Sequence, residues 1–151
     1  MLTFNLPDVC TVEPPAGQLR FADAEVTKYI GDLFHAVAKM FPSTMFSTGG
    51  DELNVNCYSI DEPTQATLNA TGRTFEQALD DFTQSTHGVL EHSGKTPVVW
   101  EEMVLDHNVT LSADTKVIVW ISSANVKAVA ESGHKLIHGA SDYFYLVRRI
   151  P

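Results

Sequence analysis

Basic residues are scarce in this chain. Ten Lys and Arg stand against 19 Asp and Glu, giving a net charge of −9 over 151 residues, which is the wrong sign for gripping a phosphate backbone and argues against a nucleic-acid partner. Long apolar runs are absent as well: none approaches the roughly 18–20 residues a bilayer span requires, so no membrane-spanning helix is expected. Cysteine is nearly missing, with only Cys10 and Cys57. Without CxxC spacing the two make no zinc site, and the sequence alone leaves their redox state open between a disulfide and a buried free pair. The N-terminal Met1-Leu2-Thr3-Phe4-Asn5-Leu6-Pro7 lacks the basic and apolar regions of a signal peptide. Length is also limiting, since a complete TIM barrel takes about 250 residues. Against these absences, 44% hydrophobic and 19% charged residues describe an ordinary globular composition rather than a disordered one.

Local patterns alternate strand and helix. Residues 1–21 carry Pro7, Pro14, Pro15 and Gly17 without a period and read as an extended loop region. Asp23 is placed to cap a helix whose apolar stripe is Val26, Tyr29, Ile30, Leu33, Phe34, Val37 and Phe41, stopped by Pro42. Thr44 to Thr48 read as a strand ending at Gly49-Gly50-Asp51-Glu52. A second helix starts at Thr74, which has capping-box spacing to Gln77, and carries Phe75, Ala78, Leu79, Phe82 and Val89 to Gly94. Pro97 to Trp100 form the next strand, and Lys116 to Ile121 a near-continuous apolar one of the kind buried on both faces. Ser122 or Ser123 would cap a third helix carrying Val126, Val129 and Ala130. His134 to His138 make a last strand. This alternation predicts parallel βαβ units and an α/β class.

Chemistry in parallel sheets gathers at the C-terminal strand ends, and the notable residues fall there. Asp51 and Glu52 end the first strand after two glycines. Trp100 ends the second, with Glu101 and Glu102 following, Trp120 ends the third, and Tyr143 and Tyr145 lie beyond the last. Two carboxylates held close cannot both ionise freely, so one can act as a general acid beside an anionic neighbour. Aromatic rings suit the apolar faces of a pyranose. Core packing is the competing reading for each tryptophan taken singly. For Glu101 and Glu102 the plain expectation is that one faces a loop or solvent, and Asp61, Glu62, Asp80 and Asp81 read as solvated surface acids. The six histidines form no ligand set, so no metal is expected. Asn69-Ala70-Thr71 and Asn108-Val109-Thr110 are glycosylation sequons in polar stretches that read as loops.

The run Phe46-Ser47-Thr48-Gly49-Gly50-Asp51-Glu52-Leu53-Asn54 resembles the His/Ser-x-Gly-Gly-Asp-Glu-Val/Ile signature of family 20 glycoside hydrolases, the β-N-acetylhexosaminidases. Four further segments resemble other parts of the family in order: Glu13-Pro14-Pro15-Ala16-Gly17-Gln18-Leu19, as in fungal members, Val98-Val99-Trp100-Glu101-Glu102-Met103, Val117-Ile118-Val119-Trp120, and Ser141-Asp142-Tyr143-Phe144-Tyr145-Leu146. The resemblance implies a partial TIM (β/α)8 barrel, about four βα units over residues 22–146 that match the fourth to seventh, within a single domain of residues 1–151. It implies hydrolysis of terminal non-reducing N-acetyl-β-D-hexosamine from an oligosaccharide or glycoconjugate, with no cofactor. In that scheme Glu52 is the acid and base, Asp51 orients the 2-acetamido group, Tyr145 binds the acetamido carbonyl, and Trp100 and Trp120 wall the sugar. It further implies a Cys10–Cys57 disulfide, glycosylation at Asn69 and Asn108, a secreted or lysosomal/vacuolar location, and the homodimers common among full-length members.

The departures from the family pattern are at Val147, where the family carries a sugar-binding Asp, and in the divergent tail of residues 147–151. Together with strands that find no match, they suggest a truncated gene product, whose alternative function is that of a non-catalytic remnant. A more remote alternative takes Gly-Gly-Asp-Glu as the motif of bacterial diguanylate cyclases. There a Phe follows the motif, whereas Leu53 follows here with no basic cluster nearby.

Overall fold

The computed structural model describes residues 3–4, 17–107 and 109–144. The chain divides into two units, one of Met1–Pro42 with Glu52–Ser93, the other of Ser43–Asp51 with Gly94–Pro151.

In the first unit, strands β1 (Thr3–Phe4) and β2 (Gln18–Leu19) pair antiparallel, inside the stretch expected to be loop. Helix α1 (Ala24–Met40) starts where expected, with the Asp23 carboxylate accepting the Glu25 N–H at 2.9 Å. Its apolar stripe splits. Val26 and Ile30 are buried and Phe34 and Val37 half-buried, whereas Tyr29, Leu33 and Phe41 are exposed, because the stripe is wider than the face that packs on α4 (Phe75–His92).

Helix α4 carries the expected capping box: Thr74 Oγ1 accepts from Gln77 N at 3.2 Å and Gln77 Oε1 accepts from Thr74 N at 3.1 Å. Phe21, Tyr58, Phe75 and Phe82 cluster, Phe21 standing 4.9 Å from Tyr58 and 5.2 Å from Phe75 between ring centroids. Tilted and edge-on rings at these spacings add attraction beyond their buried area.

Two helices occupy the polar stretch that reads as loop, α2 (Val55–Ile60) and α3 (Glu62–Thr71). Asp61 starts α3, its carboxylate accepting from Thr64 N at 3.1 Å and from Thr64 Oγ1 at 2.7 Å, with Pro63 in the first turn where its missing N–H costs nothing. Asp61 is therefore no solvated acid. It is buried, and the Arg20 guanidinium grips it with Nε at 2.9 Å and Nη2 at 2.7 Å. Asn69 lies exposed in the last turn of α3, not in a loop.

The second unit is a four-stranded parallel sheet in sequence order: β3 (Met45–Gly49), β4 (Thr96–Trp100), β5 (Lys116–Val119) and β6 (Lys135–His138). Each strand lies within two residues of its expected span. Pro97, Val98 and Val99 are buried in succession, but β5 alternates, with Val117 and Val119 buried and Ile118 only half-buried, so it is not covered equally on both faces. The one-turn α5 (Glu102–Leu105) follows β4, and α6 (Ala124–Glu131) packs on β5 and β6. Neither expected serine caps α6 through its own side chain. Instead Asp142, which follows β6, accepts from Ser123 N at 2.9 Å and from the Ser123 hydroxyl. That hydrogen bond holds the Asp142 carboxyl below the usual carboxylate range.

Candidate active site

The backbone leaves β3 through a sharply turned segment. Gly49 has φ 80° and Gly50 φ 99°, values at which a Cβ is strained. Space excludes a side chain too: a Cβ on Gly50 would lie 2.5 Å from Met103 Cγ and 2.6 Å from its Sδ. Asp51 and Glu52 follow, both exposed. Glu52 has φ 52° and is the one non-glycine with positive φ among the described residues. Such a conformation is uncommon for an L residue and persists only where neighbours hold it. Here the Glu52 carbonyl accepts from Gln18 Nε2 at 3.2 Å.

At the next strand ends, Trp100 closes β4 and Trp120 directly follows β5. Both are half-buried, neither core nor free, and their rings meet edge to face at 6.1 Å with a 70° interplanar angle. The two acids after Trp100 fix this corner, contrary to the expectation that one faces solvent. Glu101 is fully buried. Its Oε1 accepts from Trp120 N at 3.1 Å and Ile121 N at 2.6 Å, the N–H groups left over where β5 ends. Glu101 Oε2 has no hydrogen-bond partner among the described residues. Glu102, also buried, holds both carboxylate oxygens 3.1 Å from Trp120 Nε1. Sequence reasoning missed these roles. The available signal was a pair of acids immediately past a buried strand, where unpaired backbone donors need acceptors.

Of the expected site residues, the structure brings Trp100 and Trp120 together and sets Asp51 on the turn after the adjacent strand β3, with Glu52 next in the chain. Tyr145, Cys10 and Asn108 lie outside the described residues. Cys57 is fully buried, and no described cysteine is free. His138 is exposed and meets Phe144 edge to face at 5.1 Å. Among the described residues no His, Cys, Asp and Glu group could hold a metal, and no helix is long and apolar enough to cross a membrane.

Comparison with known proteins gives this arrangement a context. The family model for glycosyl hydrolase family 20, catalytic domain, matches residues 5–149. A β-hexosaminidase of Arthroderma benhamiae is 36% identical over 146 residues, which cover 89% of this chain and 23% of that protein. The β-hexosaminidase subunit alpha of Mus musculus is 29% identical over 104 residues, 68% of this chain and 20% of its own. Among solved structures, a family 20 exo-β-N-acetylglucosaminidase from Vibrio harveyi in complex with N-acetylglucosamine superposes with a TM-score of 0.73 at 20% identity, over 91% of this chain and 22% of that one. The chain thus spans about a quarter of the length of the relatives it matches. The likeness identifies the fold: four sequential parallel strands with helical connections are part of a TIM barrel.

Proposed function

Because the chain belongs to glycosyl hydrolase family 20, we propose that the protein removes terminal non-reducing N-acetyl-β-D-hexosamine residues from oligosaccharides or glycoconjugates by substrate-assisted, retaining hydrolysis. The observation that carries this reading is the Gly49-Gly50-Asp51-Glu52 turn at the end of β3, beside strands that end in an edge-to-face tryptophan pair. The turn presents two carboxylates on a backbone shaped for them, and the pair offers two steeply inclined aromatic faces for a sugar ring and its acetamido methyl.

In the proposed reaction the carbonyl oxygen of the substrate's own 2-acetamido group attacks the anomeric carbon as the glycosidic bond breaks. Glu52 gives its proton to the departing oxygen. Asp51 accepts the acetamido N–H and stabilises the positive charge of the oxazolinium intermediate, and Tyr145 donates its hydroxyl to the attacking carbonyl oxygen. Glu52, now anionic, takes a proton from water as that water attacks the anomeric carbon and reopens the ring. Configuration is retained because two inversions occur at one carbon.

The accompanying features are part of the same proposal: a Cys10–Cys57 disulfide, glycosylation at Asn69 and Asn108, and a secreted or lysosomal/vacuolar location. The burial of Cys57 and the exposure of Asn69 support it. The test is turnover of para-nitrophenyl N-acetyl-β-D-glucosaminide by the purified protein, with a Glu52→Gln control. Turnover that falls roughly a hundred- to ten-thousand-fold in the control is expected for a lost general acid. Equal turnover by both proteins overturns the reading.

A further inference from the structure

Glu52 sits in a backbone region that L residues rarely occupy, with φ 52°, and its side chain has the freedom of an exposed position. A general acid needs the opposite, a carboxyl aimed at one oxygen. The brace lies across the chain in β2. The Gln18 side-chain amide straddles the turn: its Nε2 donates to the Glu52 carbonyl at 3.2 Å, and its Oε1 accepts from Asn54 N at 3.3 Å. One amide thereby satisfies the carbonyl leaving Glu52 and the N–H two residues on, closing a ring around Leu53, directly after the strained residue.

Gln18 is itself anchored. Tyr58 Oη donates to the Leu19 carbonyl at 3.0 Å, and Arg20 grips Asp61 through two nitrogens. Three consecutive residues, 18, 19 and 20, therefore hold the acid's carbonyl, helix α2 and the start of α3 in turn. Tyr58 is buried to 1% exposure and Asp61 to 4%, so the brace is rooted in packed structure.

We propose that Gln18 is a positioning residue for the acid, fixing the Glu52 backbone so that the carboxyl starts from one direction. The inference rests on the reading of Glu52 as the general acid. Only a primary amide does both jobs. A Glu at position 18 accepts from Asn54 but cannot donate to Glu52, and an Ala does neither.

The test compares wild-type full chain with Gln18→Ala, Gln18→Glu and Glu52→Gln on two N-acetylglucosaminides. One has a dinitrophenyl leaving group, which departs without a proton, and the other has an alkyl leaving group, which needs one. Deuterium exchange over residues 53–56 is followed in parallel. The expected result for Gln18→Ala is a kcat/KM loss of roughly ten- to hundred-fold on the alkyl glycoside, little change in kcat/KM on the dinitrophenyl glycoside, and Asn54 exchange faster by on the order of tenfold. The ratio kcat/KM is read because it reports bond cleavage and not the later step in which Glu52 acts as base. Gln18→Glu is expected to keep the Asn54 protection while losing alkyl-glycoside turnover. Asn54 exchange unchanged in Gln18→Ala, or equal kcat/KM losses on both substrates, overturns the inference. A Glu52→Gln control whose kcat/KM losses ignore the leaving group instead overturns the acid reading, and with it the role given to Gln18.

Discussion

The indole N–H of Trp120 lies 3.1 Å from each carboxylate oxygen of Glu102, so the ring that closes β5 is aimed by an acid that follows β4. The pair is part-buried and Glu102 is only 6% exposed, which strengthens a charge-assisted hydrogen bond relative to one in water. Glu102→Leu leaves the indole donor without this acceptor and is expected to lower stability by about 1–3 kcal/mol. Glu102→Gln keeps a carbonyl acceptor and is expected to lose less. Urea denaturation followed by tryptophan fluorescence reads both, because the Trp100–Trp120 contact reports its own geometry. Equal losses in the two variants would show that a neutral carbonyl acceptor does not replace the carboxylate.

Gly50 is required twice, by its φ of 99° and by the Met103 side chain standing where a Cβ would be. Gly50→Ala is expected to destabilise by about 1–3 kcal/mol from backbone strain, with the clash in addition. Adding Met103→Ala removes the clash but not the strain, so the double variant should fall short of the sum of the two single losses. Thermal denaturation of the four proteins forms a double-mutant cycle. Strict additivity would mean that Met103 does not limit the turn.

What could be read in the sequence was what depends on neighbours a few residues away. The Asp23 cap, the Thr74–Gln77 capping box and the strand spans follow from local hydrogen bonds and apolar runs, and all are present. Helices α2 and α3 escaped because they bury few side chains, chiefly Cys57, Tyr58, Thr64 and Leu68, too few to print a period. Partnerships distant in the chain were invisible for a different reason. Arg20 with Asp61, Asp142 with Ser123, and Glu101 with the end of β5 are joined by the fold, and nothing in the residues' own surroundings announces them. The turn proposed as catalytic was legible because its glycines and acids are contiguous. Its brace at Gln18, 34 positions earlier than Glu52, was not.

Asp61 shows how such a distant partner governs pH behaviour. Its hydrogen bond from Arg20, assisted by those from Thr64, holds the carboxyl below its ordinary 3.8, against the opposing effect of burial. A carboxyl whose folded value is depressed adds stability that is full above the ordinary value and is lost as pH falls through the folded one. Acid denaturation curves should therefore steepen below pH 3.8 in the wild type and flatten there in Arg20→Ala. Removing the arginine leaves a buried carboxylate unpaired, at a cost on the order of 3 kcal/mol at neutral pH. Arg20→Lys keeps the charge without the two-pronged grip and should fall between. An Arg20→Ala protein as stable as wild type at pH 7 would exclude a structural role for the pair.

His87 acts with the same sign at a higher pH. Burial in α4 pushes its imidazole down from 6.5 to about 4, outweighing the pull of Glu91, which acts the other way. The folded protein thus keeps the ring neutral between those values while the unfolded chain takes up a proton. Stability is then independent of this group above pH 6.5 and declines as pH falls toward 4. Each unit of separation is worth about 1.4 kcal/mol, so the total loss is on the order of 3 kcal/mol. His87→Gln retains a polar side chain that does not titrate, and its stability should be flatter across this window than that of the wild type. Urea midpoints at pH 7, 5.5 and 4.5 measure the difference. Parallel profiles for the two proteins would mean that His87 is protonated in the folded state and that burial does not control its charge.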